Sequence, residues 1–431
     1  MPNSNQAPDQ ISAQEVELLR LVTVGSVDDG KSTLIGRLLY DTKGAFEDQL
    51  QAVRKDGGNS NESGADSIDL AQLTDGLSAE REQGITIDVA YRYFSTPKRK
   101  FIMADCPGHE QYTRNMVTGA STANTAIILI DARKGVLQQT RRHTHIIGLL
   151  GLPHLIVAIN KMDLIDYDEA TFIRIKEELT EFCARQNIHD LLCIPISALA
   201  GDMVVDRGDN MPWYKGQTVL ETLEGIEVSG HTDEADFRFP VQYVCRPQTK
   251  ELPDFRGFMG RIASGTVKVG DEVMQLPAGK KSKVKTIVTF DGNLDEAFAP
   301  QSVTLTLEDE IDISRGDIIV QAGKAPQIAN EIEAIVCWMG EEPLTPRKKY
   351  HIKHATNTVK AMVSEIQYRT DINALTQDET AQELAVNEIG KVSLKLMSPL
   401  TIDRYADNRA TGNFIIIDSF TNNTVGAAMI C

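Results

Sequence analysis

The chain has 431 residues, a formal net charge of −17 and 42% hydrophobic residues. That length admits roughly two or three globular domains, and so acidic a balance argues against a broad nucleic-acid footprint, which needs clustered Lys and Arg. The six cysteines (Cys106, Cys183, Cys193, Cys245, Cys337 and Cys431) are scattered without a Cys-x-x-Cys pair, so neither a thiolate metal site nor a disulfide framework is expected. Reduced thiols in a cytoplasmic protein are expected instead.

Residues 1–17 read as a flexible polar tail; Met1 to Gln14 lacks the apolar core of a secretory signal. Leu19 to Val24 is apolar and β-branched, like a buried strand, and Thr33 to Leu39 opens a helix. Between them lies Gly25-Ser26-Val27-Asp28-Asp29-Gly30-Lys31-Ser32, which fits the phosphate-loop pattern G-x-x-x-x-G-K-[ST]. The glycines let backbone wrap phosphates, the helix N-terminus offers free N–H groups, Lys31 reaches the β- and γ-phosphates, and the Ser32 hydroxyl suits Mg²⁺. Asp28 and Asp29 are unusual inside an anion-binding loop. Two readings stand: Asp28 helps to bind a monovalent cation near the phosphates, or both aspartates only shape the loop through hydrogen bonds.

A Gly-rich polar loop follows at Gly57 to Gly64. Ile85 to Phe94 and Lys100 to Ala104 read as strands, as do Ala126 to Ile130, Leu155 to Ile159 and Leu192 to Ile196, with a helix over Asp168 to Arg185. This alternation predicts a doubly wound, mostly parallel sheet with its ligand at the carboxyl ends of the strands. The apolar runs are far too short to span a bilayer, so no membrane is expected.

Three further motifs follow strands or precede one. In Asp105-Cys106-Pro107-Gly108-His109, Asp105 suits Mg²⁺ through water, the Gly108 N–H suits a γ-phosphate, and His109 suits orientation of the attacking water. Thr86, in Gly84-Ile85-Thr86-Ile87, offers a hydroxyl for Mg²⁺ and an N–H for the γ-phosphate. In Asn160-Lys161-Met162-Asp163, the Asp163 carboxylate can accept from guanine N1–H and the exocyclic amine, a donor pair that adenine lacks. The Lys161 stem can cover the base, and Ser197-Ala198-Leu199 can present a backbone N–H to the guanine oxygen. This quartet selects GTP. His143 and His145, at i and i+2 on a predicted helix, face different ways and read as surface or packing residues rather than a metal pair.

After about residue 225 the texture becomes all-β: short alternating runs punctuated by Gly, with a break near Gly323 to Gln327 and a turn at Asp407 to Gly412. The expected architecture is an α/β P-loop GTPase domain over 18–230 followed by two β-barrel domains, over 231–325 and 326–431.

With these residues in view, the chain resembles translation-factor-type GTPases of the elongation factor Tu class. Within that class it is most similar to the family of GTP-binding subunits of bacterial sulfate adenylyltransferase. Gly25 to Leu39, Gly76 to Phe94, Gly108 to Met116, Asp131 to Val136, Gln139 to His143 and Glu308 to Asp317 carry the resemblance. It implies a smaller catalytic adenylyltransferase subunit as partner, in a heterodimer or an assembly of heterodimers, making adenosine 5′-phosphosulfate and pyrophosphate from ATP and sulfate. GTP hydrolysis on this chain would drive that uphill step, and no nucleic-acid partner is expected. Nucleotide contacts are expected from Gly25, Ser26, Val27, Asp28, Asp29, Gly30, Lys31, Ser32, Thr33, Asp105, Cys106, Pro107, Gly108, His109, Asn160, Lys161, Asp163, Ser197, Ala198 and Leu199. Ser32, Thr86 and Asp105 would hold Mg²⁺, and His109, Lys31, Gly108 and Thr86 would carry the chemistry. Cys106 stands where threonine is common in the family. The alternative is a translation-factor-like GTPase that delivers tRNA.

Overall fold

A computed structural model of the chain describes residues 17–43, 70, 88–109, 112–186, 188, 190–227, 235–247, 250, 254–372 and 374–431. The chain divides into two compact units, Met1–Val228 and Ser229–Cys431.

The first unit is an α/β sheet. In chain order come β1 (Leu18–Gly25), α1 (Lys31–Asp41), β2 (Ala90–Ser95), β3 (Lys100–Asp105), α2 (Thr113–Ala120), β4 (Thr125–Asp131), α3 (Gln138–Leu149), β5 (His154–Asn160), α4 (Glu169–Ala184), β6 (Leu191–Pro195) and α5 (Val219–Gly225). The sheet order is β2-β3-β1-β4-β5-β6, parallel except for β2 against β3. β4 is buried at every position, which is why its sequence is a continuous apolar run rather than an alternating one. The α4 helix starts at Asp168, whose carboxylate accepts the Thr171 N–H at 2.8 Å. It buries Phe172, Ile175, Leu179 and Phe182 at helical spacing. The strand expected over Ile85 to Phe94 begins at Ala90; residues 85–87, with Thr86, lie outside the described residues. Among the described residues, no helix is long and apolar enough to cross a membrane.

The second unit holds two antiparallel β-barrels. The first comprises β7 (Arg238–Cys245), β8 (Gly257–Arg261), β9 (Thr266–Lys268), β10 (Glu272–Leu276), β11 (Lys280–Thr289), β12 (Gly292–Leu294), β13 (Glu296–Phe298), β14 (Ser302–Leu307) and β15 (Ile318–Gln321). The order β10-β15-β7-β8-β14-β11 closes through β10 pairing with β11, around Phe237, Phe239, Phe258, Ile287 and Leu305. The second comprises β16 (Gln327–Trp338), β17 (Lys349–His354), β18 (Asn357–Asp371), β19 (Thr376–Asp378), β20 (Ile389–Ile402), β21 (Asn413–Asp418) and β22 (Thr424–Ile430). Its ring, β17-β21-β22-β16-β20-β18, closes through β17 and β18 around Trp338, Tyr350, Phe414 and Ile416. Closure leaves no free edge in either ring. The barrels are joined by a buried bidentate pair, Arg238 Nε to Asp403 Oδ2 and Nη2 to Oδ1, both 2.9 Å.

Candidate nucleotide site

The phosphate loop runs from the end of β1 to the start of α1, at the carboxyl edge of the sheet. Gly30 caps α1 in the left-handed region (φ 95°), with no side chain on the first-turn N–H groups, so these remain available to an anion. The position excludes other residues twice over, because a Cβ there would also lie 2.4 Å from Asn160 Nδ2.

Lys31 is buried and donates to the Gly25 and Ser26 carbonyls at 3.0 and 2.9 Å. Burial pushes its pKa down, opposed by Asp105 and Asp29. The Asp29 carboxylate is 1% exposed and turns into the loop, where Oδ2 accepts the Ser26 N–H at 2.7 Å. Burial raises its pKa, against the pull of Lys31. Asp29 thus shapes the loop by hydrogen bonding. Asp28 is exposed, at φ 67°. Among the described residues, Ser26 Oγ and Asp29 Oδ1 are buried with no hydrogen-bond partner, polar capacity that fits a site built for a polar ligand. Val27, Ser32 and Thr33 are half-buried along the loop and first helical turn.

The turn after β3 lies against this loop. A Cβ on Gly108 would sit 2.7 Å from the Gly25 carbonyl oxygen and 2.8 Å from Lys31 Nζ, so only glycine permits the approach. Asp105, Cys106 and Pro107 are buried. Thr23 Oγ1 donates to Asp105 Oδ1 at 3.3 Å. The Cys106 thiol is fully buried, and burial pushes its pKa far up. His109 is exposed, edge-on to Tyr112 with ring centroids 6.4 Å apart. The oxygen donors Ser32 and Asp105 beside a buried lysine are the chemistry that Mg²⁺ with a polyphosphate requires. Among the described residues there is no His/Cys/Asp/Glu cluster suited to another metal.

The third motif faces the loop from β5. Asn160 is buried and bridges two segments: its Nδ2 donates to the Asp29 carbonyl at 2.8 Å, and its Oδ1 accepts the Ala198 N–H at 3.0 Å. Lys161 is held at φ 64°, a cost that non-glycine residues bear where surrounding contacts enforce it. Its ammonium reaches the Asp28 carbonyl and, at 3.1 Å, Asp131 Oδ2. Asp163 sits in a short 3-10 turn, Met162–Ile165, with Lys161 at the cap position. Ser197 Oγ donates to Asp163 Oδ1 at 2.6 Å, fixing the carboxylate beside the 197–199 turn. Leu199 is 68% exposed there.

Sequence reasoning missed Asp131, Arg133 and Arg37. Asp131 Oδ1 accepts Arg133 Nε and Oδ2 accepts Nη2, at 3.0 and 2.7 Å. Burial pushes the Asp131 pKa up, but bonds from Arg133 and Lys161 outweigh it and bring it to about 2. Arg37 reaches the Ala198 and Leu199 carbonyls. The only available signal was the position of Asp131 at a strand end facing Lys161. His143 is fully buried, its pKa lowered to about 3 by burial and by Lys31, and His145 Nδ1 pairs with Gln186 Oε1 at 2.6 Å. Both are packing residues.

A phosphate loop, a glycine turn pressed against it and an Asn-Lys-x-Asp quartet on one sheet edge define a GTPase domain of the translation-factor class. Residues 16–233 match the family described as elongation factor Tu GTP binding domain. Residues 258–320 match elongation factor Tu domain 2, and 331–431 match the GTP-eEF1A C-terminal domain-like family. The chain is 55% identical over 417 residues to sulfate adenylyltransferase subunit 1 of Saccharophagus degradans, covering 97% of this chain and 87% of that protein. It is 57% identical over 415 residues to the protein of the same name in Chromobacterium violaceum, covering 96% and 86%. The chain belongs to the sulfate adenylyltransferase subunit 1 family.

Proposed function

We propose that this chain is the energy-coupling GTPase subunit of a cytoplasmic sulfate adenylyltransferase. It would hydrolyse GTP while a smaller catalytic subunit, paired with it in a heterodimer or a larger assembly, makes adenosine 5′-phosphosulfate and pyrophosphate from ATP and sulfate. The observation that carries the nucleotide part is the Asp163 carboxylate, fixed by Ser197 beside Lys161 and Asn160, both of which hold the phosphate loop. The relatives' shared name supports the sulfate part. The proposed domains are residues 18–230 for GTP and two barrels over 231–325 and 326–431.

In this reading GTP lies along the loop, with Lys31 and the α1 N–H groups on its phosphates and Asp163 on its base. Gly108, pressed against the loop, offers its N–H to the γ-phosphate, and exposed His109 orients the attacking water. Ser32, Asp105 and Thr86 would hold Mg²⁺, which neutralises phosphate charge when bound. For Asp28 two roles remain, a ligand of a monovalent cation or a shaper of the loop; equal hydrolysis rates in K⁺ and Li⁺ would remove the first.

The test is GTP hydrolysis by the purified chain with and without the catalytic subunit, ATP and sulfate, while adenylylsulfate is followed. Hydrolysis that rises only with the partner, with product beyond the ATP-only equilibrium, is the expected result. Hydrolysis indifferent to the partner leaves a GTPase but removes sulfate activation, and tRNA delivery becomes the reading to pursue.

A further inference from the structure

The turn that follows β6 is tied at almost every peptide group. Ser197 N–H donates to the Asp202 carbonyl at 3.1 Å, and the Ser197 carbonyl accepts Gly201 N–H at 2.7 Å. Ala198 N–H is taken by Asn160 Oδ1, and Ala200 N–H by Ser197 Oγ at 3.1 Å. The two carbonyls between these, of Ala198 and Leu199, are held by one side chain: Arg37 Nε at 3.1 Å and Nη2 at 2.5 Å. Its remaining nitrogen, Nη1, pairs with Asp41 at 3.4 Å. Among the described residues, the Leu199 N–H has no acceptor.

The Ala198 carbonyl and the Leu199 N–H belong to the same peptide plane. In a trans peptide the two point in opposite directions. A guanidinium clamped on the Ala198 oxygen therefore turns the Leu199 N–H away from α1. Asn160 and Asp163 fix the two flanks of the same turn, through Ala198 N–H and Ser197 Oγ. Arg37 is also on the helix that begins with Lys31 and Ser32, so one rigid element carries the phosphate residues and the clamp on the base-reading turn.

We propose that Arg37 is a positioning residue for base specificity: by holding the Ala198 and Leu199 carbonyls it aims the Leu199 N–H at the 6-oxygen of the bound guanine. This rests on the guanine reading of the site given above. A preset donor is effective because it pays little ordering entropy when the base arrives. Arg suits the role, since its planar fork spans two acceptors where a lysine would hold one.

The test compares dissociation constants of the full chain for GTP and for the triphosphate of 2-aminopurine riboside, which lacks the 6-oxygen and, with it, the N1–H proposed to reach Asp163. The wild-type chain is expected to favour GTP. Arg37→Ala should weaken GTP about tenfold, the scale of one lost hydrogen bond, and leave the analogue unchanged, so that the ratio falls about tenfold while the part owed to Asp163 remains. Should Arg37→Ala fail to fold, Arg37→Gln keeps a polar side chain without the reach, and the same fall in the ratio is expected. Equal weakening of both nucleotides, or an unchanged ratio, would show Arg37 to be a structural tie only and overturn the proposal. A wild-type chain that binds both nucleotides alike would instead overturn the guanine reading itself, whatever the variants do.

Discussion

At its proposed phosphate end the site is made largely of backbone: loop carbonyls around Lys31, first-turn N–H groups of α1 without a side-chain cap, and two glycines whose missing side chains let segments touch. At its proposed base end it is made of side chains that reach across the fold, Asn160 to Asp29 and Ala198, Lys161 to Asp28 and Asp131, Ser197 to Asp163. A backbone site recognises any polyphosphate, because every nucleotide presents the same anion. A side-chain site discriminates, because a buried acceptor left unpaired costs about 1–3 kcal/mol.

Mutations should separate the two ends. Lys31→Ala is expected to have the largest effect, a loss of triphosphate affinity or turnover on the order of 10³-fold regardless of the base; titration with GTP and ITP checks it, and a base-dependent loss would break the division. His109→Ala should slow single-turnover hydrolysis on the order of 10²-fold with GTP affinity nearly intact. Normal turnover in that variant would move water positioning to another group. Asp163→Asn should weaken GTP by roughly 10–100-fold and favour xanthosine triphosphate, with affinity for tripolyphosphate unchanged; competition binding reads both.

The smallest effect concerns Asp131 and is read by pH. Its folded pKa of about 2 lies below the unfolded carboxylate value of about 3.9. The group therefore contributes stability above about pH 4 that is lost as pH falls through 2, on the order of 2 kcal/mol in all. Asp131→Asn should flatten that part of the acid-unfolding curve and weaken GTP a few-fold through a looser Lys161. An unchanged curve would place the acid sensitivity elsewhere.

The groups that sequence patterns reveal are those whose partners are close along the chain or whose type is dictated by the ligand. Gly25 to Ser32, Asp105 to Gly108 and Asn160 to Asp163 are of this kind. The helix over Asp168 to Arg185 is also legible, because its cap and apolar spacing are local. Arg37 is not: its acceptors lie 161 and 162 residues away, and an arginine on a helix surface otherwise reads as a solvated charge. Asp131 closes a strand and its partners, Arg133 and Lys161, are set by the fold, and the late start of β2 was hidden because Ile85 to Phe94 is largely strand-like in composition. Asp29 was ambiguous for a different reason. An acid among phosphate-binding amides can serve a cation or a backbone N–H, and only the position of Ser26 decides.

The buried thiol of Cys106 gives the end of β3 a built-in clock. A thiol so enclosed stays protonated and out of reach of alkylating reagents. The thiol lies against Gly119 of α2, where a Cβ would come within 2.6 Å of Sγ, so its labelling can proceed only as fast as the packing between the end of β3 and α2 opens, or in proportion to how often it does. The rate at which iodoacetamide modifies Cys106, with and without nucleotide, therefore counts openings of the packing between the end of β3 and α2, beside the turn proposed to act in hydrolysis.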